Sequence, residues 1–492
     1  MPGQLVLVFV AIQALTAPAL AAAARALPQE HSVWERITNR FTNRYGGVEG
    51  FTSVVLEAPK EQTVPFTILS MGGMSTSANG MQQYLNDATV SQNDGYIWHE
   101  LPKSIRTNAF QEDVPLPQFT KRWSSASTVL RIYNYNKTNQ ERERVYVVGG
   151  YYVRVGAQRN YNIFLNDIYY TDISINKENA TIGGLVWHLL NATDVCVEQG
   201  RDLSKCTFSP RYGHSLISFG GDFVRTEIDT QRTGINPGAQ VSSYLVLIGG
   251  RTQVSFVSDV WLSKDGGYTW KQQSKYSSFG GRAYHTTTAY FKKLFVFGGR
   301  AGSSAKMFND VYRSEDVGKT WEQMTSAAPW QGRYRHMGMS VPVSKTLDSG
   351  ILAVFGGYQS GTSKWFDDMW VSADDGATWC LNGERMPFGK RSAGTIVVVP
   401  RNLPDWAPKS VANLPPGDMN TDYHPFPPVI ICGGLHPTKG RLNDCWKRHR
   451  APVKSCLHVD AVKPEAFPWI VLIVVVVFIC SAGGLLWHFY NK

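Results

Sequence analysis

An apolar, strand-like run ending in two glycines occurs six times along this 492-residue chain. The pairs are Gly72-Gly73, Gly149-Gly150, Gly249-Gly250, Gly298-Gly299, Gly356-Gly357 and Gly433-Gly434. The runs before them, such as Val145–Val148, Tyr244–Ile248 and Leu294–Phe297, are β-branched or aromatic, as buried strands are. After each pair comes a second strand marked by Asn86-Asp87, Asn166-Asp167, Ser258-Asp259, Asn309-Asp310, Asp367-Asp368 or Asn443-Asp444. A tryptophan follows in the first five units: Trp98, Trp187, Trp270, Trp321 and Trp379. An arginine opens the strand before each glycine pair: Arg44, Arg122, Arg211, Arg282, Arg333 and Arg391. A small antiparallel sheet of this kind cannot bury both faces alone, so units related by such a period must stack on one another. Paired glycines are expected where that stacking leaves no room for a side chain.

This arrangement resembles the kelch repeat, and it covers nearly the whole of residues 31–450. The resemblance implies an all-β, six-bladed propeller with four antiparallel strands per blade, each tryptophan filling the gap towards a neighbour. Units average about 70 residues against about 50 for a lean repeat, and the excess sits in loops, where binding usually lives. A second pattern, S-x-D-x-G-x-T-W, spans Ser263–Trp270, Ser314–Trp321 and Ser372–Trp379, with a degenerate copy at Ser91–Trp98. It is similar to the Asp box of sialidase-type propellers. Its expected role is structural: a hairpin turn in which Asp accepts backbone N–H groups and Gly takes the positive φ. Unit six ends at Asn443–Arg448 without an outer strand, whereas Ser32–Ile37 is a spare strand carrying Trp34. Pairing the two closes the ring and removes an open edge.

The ends lie outside this repeat. Residues 1–24 hold an apolar run, Leu5–Leu20, followed by alanines, and read as a secretory signal. Residues 469–488 are about as long as a bilayer-spanning helix and carry Trp469 and Trp487 at the expected interfaces. Residues 451–468 read as a stalk and 489–492 as a short cytoplasmic tail. The rival reading of the C-terminal run is a GPI signal. The terminal polar residues and the lack of a small-residue site upstream favour the span. The expected localisation is that of a single-pass type I membrane protein, at the cell surface or in the lumen of the secretory pathway.

Cysteine usage fits that compartment. Cys480 lies in the apolar run, and Cys196, Cys206, Cys380, Cys432, Cys445 and Cys456 make an even set that implies disulfides. Short separations favour Cys196–Cys206, then Cys445–Cys456, leaving Cys380–Cys432. Sequons at Asn136, Asn179 and Asn191 mark candidate glycosylation sites. Charged residues at 18% and aromatics at 12% exclude a disordered chain, and a net charge of +10 without a long basic run does not point to nucleic acid.

Catalytic chemistry finds little support. A sialidase-like site needs an F-R-I-P segment, and Leu130-Arg131-Ile132-Tyr133 lacks both its Phe and its Pro. Copper oxidase chemistry needs a crosslinked Cys and two His ligands. No C-x-x-C occurs, and no metal or other cofactor is expected. His214, His285 and His336 each lie three residues after a repeat arginine and are expected to pack within the repeat. The six arginines are the candidate ligand-binding residues: equivalent positions would set them in a cationic ring at one channel mouth, suited to an acidic peptide or a sulfated or sialylated glycan. The alternative is that each binds backbone or an acidic partner. The long loops emerge on two opposite faces, and glycans at Asn136 and Asn179 on one of them would leave the other, with Tyr84, Arg154, Arg159 and Tyr161, as the freer binding surface. The expected function is a membrane-anchored, non-enzymatic binding or scaffolding module for a protein or glycan. The alternatives are a carbohydrate-active enzyme and a structural subunit of a membrane assembly.

Overall fold

The computed structural model describes residues 33–42, 47–56, 66–106, 113–135, 140–156, 159–173, 184–190, 207–219, 224–225, 240–241, 243–302, 306–344, 348–399, 423–424, 426–451 and 453–454. Among these residues every regular element is a strand, and six antiparallel sheets form a closed six-bladed propeller. The fourth blade shows the plan. Thr286–Tyr290 is innermost, Lys293–Phe297 and Val311–Ser314 follow, and Glu322–Thr325 is outermost. The first blade runs Thr52–Leu56, Thr67–Met71, Ala88–Ser91, His99–Glu100, and the third runs Ser215–Phe219, Tyr244–Thr252, Phe256–Ser263, Lys271–Ser274. The fifth runs Met337–Ser344, Ser349–Gln359, Lys364–Ser372, Cys380–Gly383. In the second blade the middle strands, Gln140–Val155 and Asn160–Ile173, form a hairpin that projects beyond the glycine pair.

Burial follows sequence. The second strand of blade four, KLFVF, is buried at every position, because blades cover both its faces, whereas the outer strand KQQS of blade three is exposed or half-buried. The sixth blade is completed from the other end of the chain. Thr395–Val398, Val429–Cys432 and Cys445–Arg448 are joined by Trp34–Thr38, with Trp34 opposite Arg448.

The outer-strand tryptophans fill the gaps between blades, each meeting an aromatic ring edge-on. The pairs are Trp98–Phe41, Trp187–Phe119, Trp270–Phe208, Trp321–Phe279, Trp379–Trp330 and Trp34–Phe388, with centroids 4.7 to 5.7 Å apart. Where the S-x-D-x-G-x-T-W turn precedes the tryptophan, the indole N–H donates to the turn glycine: Trp270 to Gly267 O, Trp321 to Gly318 O, Trp379 to Gly376 O. In these turns the Ser hydroxyl donates to Asp265, Asp316 or Asp374, and the carboxylate accepts the N–H of Thr269, Thr320 or Thr378. Trp34 and Trp187 lack such a turn, and among the described residues their indole nitrogens are buried without a partner.

One expected disulfide pattern is corrected. Cys432 is bonded to Cys445, directly across the second and third strands of blade six, with Cα atoms 4.2 Å apart. That excludes both Cys445–Cys456 and Cys380–Cys432. Sequence separation misleads here because the strand register, not chain distance, brings the two sulfurs together. Cys380 is also disulfide-bonded. Cys196, Cys206, Cys456, the sequon residues Asn136, Asn179 and Asn191, Arg44, the signal segment 1–24 and the apolar run 469–488 lie outside the described residues. Among the described residues no helix is long and apolar enough to cross a membrane.

Candidate functional site

The repeat arginines sit inside the blades, not at a mouth. Arg122, Arg211, Arg282, Arg333 and Arg391 are at most 1% exposed. Each meets the Asp of its own unit: Arg122–Asp167 2.7 Å, Arg211–Asp259 2.6 Å, Arg282–Asp310 2.7 Å, Arg333–Asp368 2.6 Å and Arg391–Asp444 3.2 Å. Each also donates to the carbonyl of the first glycine of its pair: Gly149, Gly249, Gly298, Gly356 or Gly433. The aromatic residue three positions earlier lies against each guanidinium at 5.7 to 5.8 Å. Buried, paired and carbonyl-bound, these five arginines form structural clamps rather than a cationic ring, in line with the alternative reading that each binds backbone and an acidic partner. In the first blade Val48 takes the corresponding backbone place: its carbonyl accepts from Gly434 N, as that of Arg122 accepts from Gly73.

The histidines pack as expected of repeat residues. A Cβ on Gly149, Gly249 or Gly298 would lie 2.7, 3.0 or 2.4 Å from Cε1 of His214, His285 or His336, which is why the first glycine of these three pairs is required. Burial, with Arg211, Arg282 or Arg333 beside each ring, holds all three imidazoles down at about 3. The unfolded chain takes up these protons near pH 6.5 and the folded one does not, so stability is full above that pH and is lost as pH falls towards 3. Going from pH 7 to pH 6 is expected to cost about 2 kcal/mol for the three together. A His336→Gln variant should retain about two thirds of that dependence. Denaturant midpoints at the two pH values test this, and equal dependence in both proteins would refute it.

The residues two positions after the arginines, and after Val48 in the first blade, build the mouth. Gly50, Ser124, Gly213, Tyr284, Arg335 and Ala393, one per blade, all have φ between 52° and 61°. Their backbones form a closed circle, each N–H donating to the carbonyl of the preceding member: Ser124 to Gly50, Gly213 to Ser124, Tyr284 to Gly213, Arg335 to Tyr284, Ala393 to Arg335 and Gly50 to Ala393. Four of the six are not glycine, and a left-handed backbone there is maintained because the circle fixes every member. Gly50 is required on a second ground, since a Cβ would come within 1.9 Å of the Trp123 indole.

Trp123 lies across this circle. The Arg335 guanidinium, from the opposite side of the ring, stands 4.6 Å over Trp123 and 4.7 Å over Tyr284. Around this plug the aromatic rings form a continuous chain: Tyr84–Tyr151, Tyr151–Trp123, Tyr151–Tyr212, Tyr212–Tyr284, Tyr284–Tyr334, Tyr334–Tyr358 and Tyr358–Trp365, all within 6.2 Å. Burial pushes the phenols of Tyr151 and Tyr284 up, so both remain neutral hydrogen-bond donors at pH 7. Glu49, buried at the rim, pairs with Arg441 at 3.0 Å. Arg335, by contrast, makes no ion pair among the described residues, and its Nε is buried without a partner.

The sequence reading placed Tyr84 on this face and missed Trp123, Tyr212, Tyr284, Tyr334 and Arg335. The usable signal was the pattern Arg-x-x-His, which carries a tyrosine between its ends in each of blades three to five: Tyr212, Tyr284 and Tyr334. Arg154 and Tyr161 lie farther out, on the exposed part of the blade-two hairpin. At the other end of the channel Arg131 is balanced by Glu143 at 3.5 Å. Among the described residues no group of three or more His, Cys, Asp or Glu side chains is arranged to hold a metal ion. No protein-family model matches this chain, and no curated protein sequence matches it.

Proposed function

We propose that the chain is a membrane-anchored, non-enzymatic propeller of kelch type that docks a protein or glycan on its aromatic mouth, on the luminal or extracellular side. The observation that carries this reading is Arg335, held between Trp123 and Tyr284 without an ion pair among the described residues, beside a chain of tyrosines. Aromatic rings and arginine are the side chains that dominate binding surfaces, because they combine apolar area with directed polar groups. The Gly-Gly and S-x-D-x-G-x-T-W geometry supports the kelch and Asp-box resemblances. The Cys432–Cys445 disulfide supports an oxidising compartment, consistent with a signal segment, glycosylation and a C-terminal span.

The test is capture by the full-length protein in detergent, on a glycan array and by crosslinking at the cell surface. Arg335→Gln is expected to weaken capture about tenfold at an unchanged melting temperature. Unaltered capture by a folded Arg335→Gln protein would remove the mouth from consideration. Turnover of a sialoside by the same preparation would favour the enzymatic alternative.

A further inference from the structure

Arg251 and Arg300 directly follow the glycine pairs of blades three and four. The repeat therefore places them at matching stations on neighbouring blades, with a depression between them lined by Tyr212, Ser255, Phe256 and Gly302. Both guanidinium groups lie against one ring: Arg251 at 4.9 Å and Arg300 at 5.9 Å from the Phe256 centroid. In the other blades this station holds Met74, Tyr151, Tyr358 and Leu435, so two cations converge only here.

Their lack of ion pairs sets them, with Arg335, apart from the buried cations of the blades. Arg122, Arg211, Arg333, Lys293 and Lys447 each meet a carboxylate. Among the described residues neither Arg251 nor Arg300 does, and Arg300 Nε is buried with no hydrogen-bond partner. Two like charges gathered without compensation raise the free energy of the unliganded fold, and such local inconsistencies concentrate at binding sites. A guanidinium fork matches two oxygens of one group, and two forks around a common depression match a single oxyanion. The flanking stations, Tyr151 and Tyr358, are uncharged, so the site suits one anionic group and not a polyanion track.

We infer that the depression between blades three and four is an oxyanion site, taking a sulfate, phosphate or carboxylate group borne by the ligand of the mouth. The inference rests on the mouth being a docking surface, and it adds the charge that the ligand carries.

The experiment titrates inorganic sulfate into the full-length protein in detergent, with chloride adjusted to constant ionic strength, by calorimetry and thermal melting. Sulfate is expected to bind saturably and raise the melting temperature. Arg251→Gln with Arg300→Gln should weaken that binding at least about tenfold, and Arg154→Gln with Arg159→Gln should leave it unchanged. Stabilisation no greater than chloride gives, or equal stabilisation of the Arg251/Arg300 variant, overturns the site. If that variant does not fold, sulfate protection of Arg251 and Arg300 from phenylglyoxal in the wild-type protein decides: protection supports the site and unprotected arginines overturn it. Capture that depends on Arg335 while sulfate has no effect refutes the oxyanion site and leaves the mouth standing. Sulfate binding with capture indifferent to Arg335 does the reverse.

Discussion

Arg333→Ala is expected to lower stability by about 3–5 kcal/mol, because it leaves a carboxylate nearly buried and uncompensated. Asp368 is only 16% exposed and accepts both guanidinium nitrogens, at 2.6 and 2.9 Å. Without Arg333 it keeps one neutral donor, the Trp370 indole at 2.8 Å, and Gly356 O loses its partner. The side chain also fills space, lying 3.8 Å over Phe366. Arg333→Lys should recover little, since one ammonium cannot meet two carboxylate oxygens and a carbonyl in the same geometry. The informative control is Arg333→Met combined with Asp368→Leu, which removes both charges together and should be markedly more stable than Arg333→Ala. Denaturant unfolding of the three variants decides the matter. A loss below about 1 kcal/mol for Arg333→Ala would mean that water reaches Asp368 and that the clamp is a surface ion pair in energetic terms.

The same residues mark the boundary of what the sequence discloses. The blade count, the strand order and the completion of blade six by Trp34 are legible, because they follow from features repeated along the chain: the glycine pairs, the Asn-Asp pairs and the spaced tryptophans. Each unit also displays its arginine and its aspartate, so both halves of the clamp were visible. Their pairing was not, because it depends on strand register, and an arginine at a strand end reads equally well as a channel lip. The disulfide Cys432–Cys445 was missed on the same ground. The mouth was the least legible part. Trp123, Tyr284 and Arg335 come from three different blades, and they meet only because a circle of backbone hydrogen bonds holds six residues left-handed around one axis. Local propensity argues against that backbone at Ser124, Tyr284, Arg335 and Ala393, so no pattern of strand alternation would reveal which way those residues face.

Trp34→Ala tests the closure itself. Trp34 is 7% exposed, edge-on to Phe388 at 5.0 Å and near Phe355 at 6.4 Å, inside a cluster shared by blades five and six. Truncating a buried tryptophan typically costs about 3–5 kcal/mol, through lost apolar burial and the cavity left behind. The same change at Trp321, whose indole is bonded to Gly318 O, removes packing of similar kind within a continuous stretch of chain. The two differ in what holds the strand. Around Trp321 the outer strand is tethered to its neighbour by a tight turn, whereas Trp34–Thr38 pairs with Cys445–Arg448 from the other end of the chain, with no short connection to hold it. Detachment of that first strand exposes Ile37 and the edge of Cys445–Arg448, and an unpaired edge beside apolar surface invites association between chains. Trp34→Ala is therefore expected to lower the melting temperature and to raise hydrogen exchange selectively at Cys445–Arg448, ahead of global unfolding. Trp321→Ala should lower the melting temperature without that local signature. A Trp34→Ala protein with an unchanged melting temperature and protected Cys445–Arg448 amides would show that the ring stays closed without its N-terminal strand.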